Sequence, residues 1–138
     1  PIVETAVVTA WKCLDEPDVT PCEAEKLRDL PHPIRVFEIC GPLFFAAADQ
    51  ILQINSDKAT RVIVIRMRSV PAIDASAMKS LRELADRAKK KKITLVFSHV
   101  NEQPMSVMVK DGFTEYVGAQ NFHANIVEAL DYAENLVK

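Results

Sequence analysis

The turn Val70-Pro71-Ala72-Ile73-Asp74-Ala75-Ser76-Ala77 joins a β-branched run to an amphipathic one and is the first place in this sequence where chemistry could be done. In open α/β sheets, ligands sit beyond the carboxyl ends of strands, at turns of this kind. The helix that follows would present unpaired N–H groups and partial positive charge, which favour a phosphate or carboxylate. Asp74 stands where an N-cap belongs, its carboxylate in reach of the N–H groups of Ser76 or Ala77. Such a cap already supplies negative charge, so a bound anion is needed less. The residues Ile73, Asp74, Ala75 and Ser76 are therefore read as a surface facing a partner or an anion, with Ser76 the candidate for phosphorylation.

Nucleophilic catalysis would need a nucleophile, a base and an orienting group within mutual reach. His32 lies in a Pro-rich stretch, His99 follows a strand and His123 opens the last apolar run. The sequence contains no G-x-S-x-G elbow, P-loop or G-x-G-x-x-G. Three glycines in total leave little permissive backbone for cradling a phosphate. The expectation is a non-enzyme with no catalytic residue, metal or cofactor. The run Lys89-Lys90-Lys91-Lys92, with Arg82, Arg87 and Lys79 before it, is a third feature. Cations at a helix C-terminus complement the dipole. The same four lysines are candidates for contact with anionic lipid or an acidic partner, worth about 1 kcal/mol per basic residue near such a surface.

At 138 residues, 49% hydrophobic and 26% charged, the chain is the size and composition of one globular domain. A net charge of −2 gives no basic field for nucleic acid. No stretch has the roughly 18 apolar residues of a membrane span, and the N-terminal residues lack the basic region and apolar block expected of a signal peptide. The start at Pro1 suggests a piece of something longer. Cys13, Cys22 and Cys40 lack the close pairing of a zinc or redox site and read as free thiols in a reducing cytoplasm.

The elements that must position these residues can be read from pattern. Thr5–Trp11 is a short Val/Thr-rich strand. Prolines 17, 21, 31 and 33, set among acidic residues, mark a linker with a helical turn near Glu23–Leu30. Ile34–Ile39 is a strand before Gly41-Pro42, and Phe44–Ile54 a short amphipathic helix. Arg61–Met67 is a strand apolar at consecutive positions, suited to burial on both faces. A helix over about 75–90 carries Met78, Leu81, Leu84, Ala85 and Ala88 on one side and charges on the other. Ile93–Phe97 is another buried strand. Glu102–Lys110 is a helix with Met105, Met108 and Val109 as apolar contacts, stopped by Gly112. Tyr116-Val117 reads as a short edge strand and Phe122–Val137 as the last helix. Strands alternating with helices predict a largely parallel sheet with right-handed crossovers.

The segments GPLFFAAADQI (Gly41–Ile51), RVIVIRMRSVPAIDASAMKSL (Arg61–Leu81) and ITLVFSHVNEQPMSVMVKDGF (Ile93–Phe113) together resemble the STAS domain of bacterial SulP (sulfate permease) anion transporters. The resemblance covers residues 34–136, and the stretch V-V-T-A-W-K resembles the strand that follows the last membrane helix of those proteins. It implies an α/β STAS fold: a mixed, mostly parallel sheet of four to six strands flanked by about four helices. Residues 1–33 would be an N-terminal strand and Pro-rich acidic linker following the membrane domain, and residues 34–138 the domain itself. The implied role is a cytoplasmic regulatory and protein-interaction module on the inner side of the plasma membrane, in a transporter that is a homodimer. Its implied partners are its own membrane domain, a cytosolic regulatory protein and the membrane surface. Anti-sigma-factor antagonists share the turn motif and offer the alternative of a phospho-switch. Their phosphorylated serine follows the turn aspartate directly; here that position is Ala75.

Overall fold

Val62 to Met67 are all buried, Arg66 included, and a run of that kind needs cover on both faces, so it becomes the middle of the sheet. The computed structural model describes residues 2–4, 33–40, 51, 52, 54, 56 and 58–138. The strands β1 (Ile2–Glu4), β2 (Ile34–Cys40), β3 (Val62–Ser69), β4 (Thr94–Ser98) and β5 (Phe122–His123) lie side by side in that order. β1 is antiparallel to β2, and β2 to β5 are parallel. The helices are α1 (Ala75–Lys90), α2 (Glu102–Asp111), α3 (Phe113–Val117) and α4 (Ile126–Leu136). Among the described residues this is the expected mixed, mostly parallel sheet with four helices.

Because side chains alternate along a strand, the two faces have separate cores. Phe37, Ile63, Ile65, Met67, Leu95 and Phe97 face α1 and α2, against Ala77, Leu81, Leu84, Ala88 and Met108. Phe113 meets Phe97 edge to face at 5.7 Å, and Phe122 stacks on it at 5.0 Å. Ile34, Val36, Val62, Val64 and Val96 face the other way, against Ile126, Ala129, Leu130 and Ala133 of α4.

Three expectations need correction. Tyr116-Val117 is helical, not a strand: Gly112 ends α2 at φ 83°, and the next turn forms at once through Tyr116 N–H to the Gly112 carbonyl at 3.0 Å. The edge strand is Phe122–His123, so the last helix begins later than expected, at Ile126, where Asn125 accepts from the Glu128 N–H at 2.9 Å. Val109 is 57% exposed; Pro104 and Met108 are the buried residues of α2. The strand expected at 5–11, the linker at 12–32, Gly41-Pro42 and most of the helix at 44–54 lie outside the described residues, as do Cys13, Cys22 and His32.

Candidate functional site

The carboxyl ends of β3 and β4 hold the turn singled out above. Asp74 is the N-cap of α1, its Oδ1 accepting from the Ala77 N–H at 2.9 Å. The turn before it is fixed from the far side by two residues that sequence reasoning did not assign. Asn101 Nδ2 donates to the carbonyls of Val70 at 2.9 Å and Arg68 at 3.1 Å. Gln103 brackets one peptide unit: its Oε1 accepts from the Ile73 N–H at 2.9 Å, and its Nε2 donates to the Ile73 carbonyl at 3.1 Å. Both link residues about thirty positions apart, which no local motif reveals.

The four residues of the predicted surface separate by role. Ile73 is buried and belongs to the core; Ala75 is exposed, while Asp74 and Ser76 are half-buried. Beside them runs an open groove of about 410 Å³ between α1 and α2, with Ile73, Met78 and Val107 as its apolar lining and Lys79 at its rim. Arg82 crosses its far end to Asp111, with Nε to Oδ2 at 2.9 Å and Nη2 to the backbone carbonyl at 2.9 Å. The groove can take an apolar side chain with an anionic neighbour. Among its described lining residues there is no nucleophile–base pair.

On the α4 face a polar row crosses the sheet at the same level. Glu38 pairs in register with Arg66, Arg66 with Ser98, and Ser98 with His123. Glu38 and Ser98 are fully buried and Arg66 is 3% exposed. Glu38 Oε2 accepts from Arg68 Nε at 3.2 Å and from the Ser69 hydroxyl at 3.3 Å. The His123 ring packs on Tyr132 at 4.7 Å, and the Tyr132 hydroxyl donates to Asn121 Oδ1 at 2.7 Å. Arg66, near the end of the run Arg61–Met67, thus lies inside rather than at the surface. His99, at φ 52°, is exposed, and no group of three or more His, Cys, Asp or Glu that could hold a metal forms among the described residues.

The lysine run lies at the opposite end of α1, some 24 Å from Asp74 by helical rise over 16 residues. Lys89 Nζ sits 3.8 Å from the centre of the Tyr116 ring, with the Arg82 guanidinium at 5.0 Å. The Tyr116 hydroxyl donates to Asp86, and that bond, with a smaller part from desolvation and the Asp86 charge, raises the phenol above its usual 10.0. Lys91 is the C-cap and Lys92 follows it in the left-handed region at φ 59°. The Ile93 N–H reaches back to the Ala88 carbonyl at 2.8 Å and the Lys92 N–H to the Lys89 carbonyl at 3.1 Å. That is the Schellman pattern, with lysine where glycine usually stands.

Comparison with known proteins agrees with this geometry. The family model described as the STAS domain matches residues 26–129. A sulfate transporter family protein from Wolinella succinogenes superposes with a TM-score of 0.74, at 32% identity over 89% of this chain and 98% of that one. The STAS domain of a SulP transporter from Vibrio cholerae gives 0.68 at 28% identity, over 83% of this chain and 91% of that one. YvdB of Bacillus subtilis (strain 168), described as a sulfate transporter, is 27% identical over 92 residues. Those residues are 64% of this chain, which spans only 17% of the length of that relative. With a family model matched over most of its length and the sheet, helices and capped turn in place, this chain belongs to the STAS domain family.

Proposed function

We propose that the chain is the cytoplasmic regulatory and interaction domain of a sulfate-permease-like anion transporter, with no catalysis of its own. The observation that carries this reading is the 32% identity to a sulfate transporter family protein across nearly the whole of both chains. The lack of any nucleophile–base pair among the described residues of the groove agrees with a binding role. On this reading the membrane domain precedes residue 1. β1 then brings the chain in with Ile2 beside Ile39, at the carboxyl ends of the parallel strands. The turn Ile73–Ser76 and the adjoining groove lie at that same end, and they are the surface offered to the transporter's own membrane domain. Contact of Lys89–Lys92 with the membrane fits this orientation poorly, because α1 carries them to the other end.

A turn clamped by Asn101, Gln103 and Asp74 suits docking, since it loses little freedom when a partner arrives. A phospho-switch at the residue after Asp74 is closed to this chain by Ala75. Mass spectrometry after incubation with a serine kinase checks the remaining hydroxyl: phosphate on Ser76 would revive the switch. The main test uses the full-length transporter in proteoliposomes, with labelled sulfate as the first anion tried. Ala75→Trp and Lys79→Glu should each change the uptake rate at unchanged protein level. Uptake identical to wild type in both variants would refute this surface, and no anion uptake by the wild type would refute the transporter assignment.

A further inference from the structure

Among the described residues, the amino ends of the parallel strands carry more positive charge than the α1 dipole alone accounts for. Arg87, Lys89 and Lys90 already meet the α1 dipole from its last turn. Lys91 and Lys92 come after that turn, and Lys58 arrives from a separate segment before β3. The side chains of Lys58, Lys90 and Lys92 have no ion pair or hydrogen bond among the described residues, and Lys91 meets only the Ser56 hydroxyl, at 3.5 Å. Lys58 and Lys91 line one groove of about 410 Å³ with Ser56, Thr60 and Ile93, and no carboxylate is among its described lining residues.

The backbone adds an independent sign. Lys92 holds the left-handed position of the Schellman turn, where a side chain is strained and glycine is not. Its side chain is exposed and packs into no core. Strain retained at an exposed residue is expected where the side chain itself is used.

We propose that Lys58 and Lys91, which line this groove, together with Lys90 and Lys92, their exposed chain neighbours at the end of α1, bind an acidic peptide segment of a soluble protein. Carboxylates would pair with the ammonium groups, and the Ser56 hydroxyl can donate to one of them. The preference for a protein over a lipid surface rests in part on the reading above, which places the membrane at the other end of α1. It rests also on the absence of an apolar anchor here: the exposed large apolar side chains among the described residues, Val109 and Leu136, belong to α2 and α4. Insertion into an interface needs such an anchor.

The test takes the 138-residue chain, isotope-labelled, with a short fluorescein-labelled peptide of alternating Glu and Ser. Saturable binding that weakens with salt is expected, with amide shifts confined to residues 56–60 and 89–93. Each lysine removed should weaken binding about two- to fivefold, the usual scale for an exposed ion pair. Lys92→Gly should do so while raising the thermal midpoint, so lost binding cannot be lost folding. Lys79→Glu, at the far end, should leave peptide affinity unchanged. No saturable binding, or shifts centred on residues 73–79, would overturn the proposal. So would lysine-dependent binding to phosphatidylserine vesicles without binding to the peptide. None of these outcomes involves the membrane domain, so failure here leaves the carboxyl-end reading to its own transport assay.

Discussion

Replacing Lys92 by glycine should stabilise the domain, although it removes a charged residue from a capped helix end. Lys92 sits at φ 59° and closes α1 through its own N–H and that of Ile93. Those two hydrogen bonds use backbone only and survive the change. A Cβ in the left-handed region costs roughly 1–2 kcal/mol. Glycine gives back about 0.4–1 kcal/mol through the greater freedom of the unfolded chain. The net gain is then about 1 kcal/mol, or about 3–5 °C in thermal midpoint for a domain of this size. Lys92→Ala is the control: it removes the same charge, relieves the same repulsion from Lys89, Lys90 and Lys91, and keeps the strained Cβ. It should stay within about 0.5 kcal/mol of wild type. Urea and thermal unfolding followed by circular dichroism give both differences. If the glycine variant is no more stable than the alanine variant, the backbone strain assigned to Lys92 is not there.

Asp74→Ala removes the cap of α1 and should cost about 1 kcal/mol in urea unfolding, whereas Asp74→Asn keeps an acceptor for the Ala77 N–H and should cost much less. Glu38→Ala takes the carboxylate from Arg68, whose side chain is only 10% exposed, and should cost about 3 kcal/mol in the same assay. Glu38→Gln keeps an acceptor and should lose clearly less. Tyr116 should ionise above 10.0 when followed by absorbance near 295 nm against a Tyr116→Phe reference, and Asp86→Asn should bring it down. Because folding raises this phenol, its hydrogen bond supports the fold below the ordinary phenol range. That support is lost as pH rises through the higher folded value.

What was legible in the sequence was what local chemistry decides. α1 runs from Ala75 to Lys90 as read, because Asp74 caps it and cations fill its last turn. Gly112 ends α2 as read, because only glycine takes φ 83° without strain. β3 was recognisable from its β-branched run, which needs burial on both faces. The misreadings fall where a segment is too short to show a period. Tyr116-Val117 has strand-forming side chains, yet two residues cannot display alternation, and the turn after Gly112 takes them into α3. Phe122 fits the spacing of α4, but its ring stacks on Phe97, and that contact puts it in β5. The polar row and the Asn101 and Gln103 clamps were out of reach for another reason: they exist only once strand register has brought distant residues together.

The two ends of the sheet hold their surface residues in opposite ways, and this bears on what each end can bind. At the carboxyl end, Asn101 and Gln103 tie down the peptide groups of Val70 and Ile73, and Asp74 fixes the start of α1. A surface fixed in this way pays little ordering entropy on contact and suits a partner of defined shape held in one orientation. At the amino end, the backbone is closed by the Schellman turn, but the ammonium groups of Lys58, Lys90 and Lys92 have no ion pair or hydrogen bond among the described residues. Such groups make weak individual pairs. Their summed field instead speeds encounter and is sensitive to salt, as suits a transient acidic partner. The two proposed surfaces thus differ in kind, and α1, with Asp74 at one end and the lysines at the other, sets them a helix length apart.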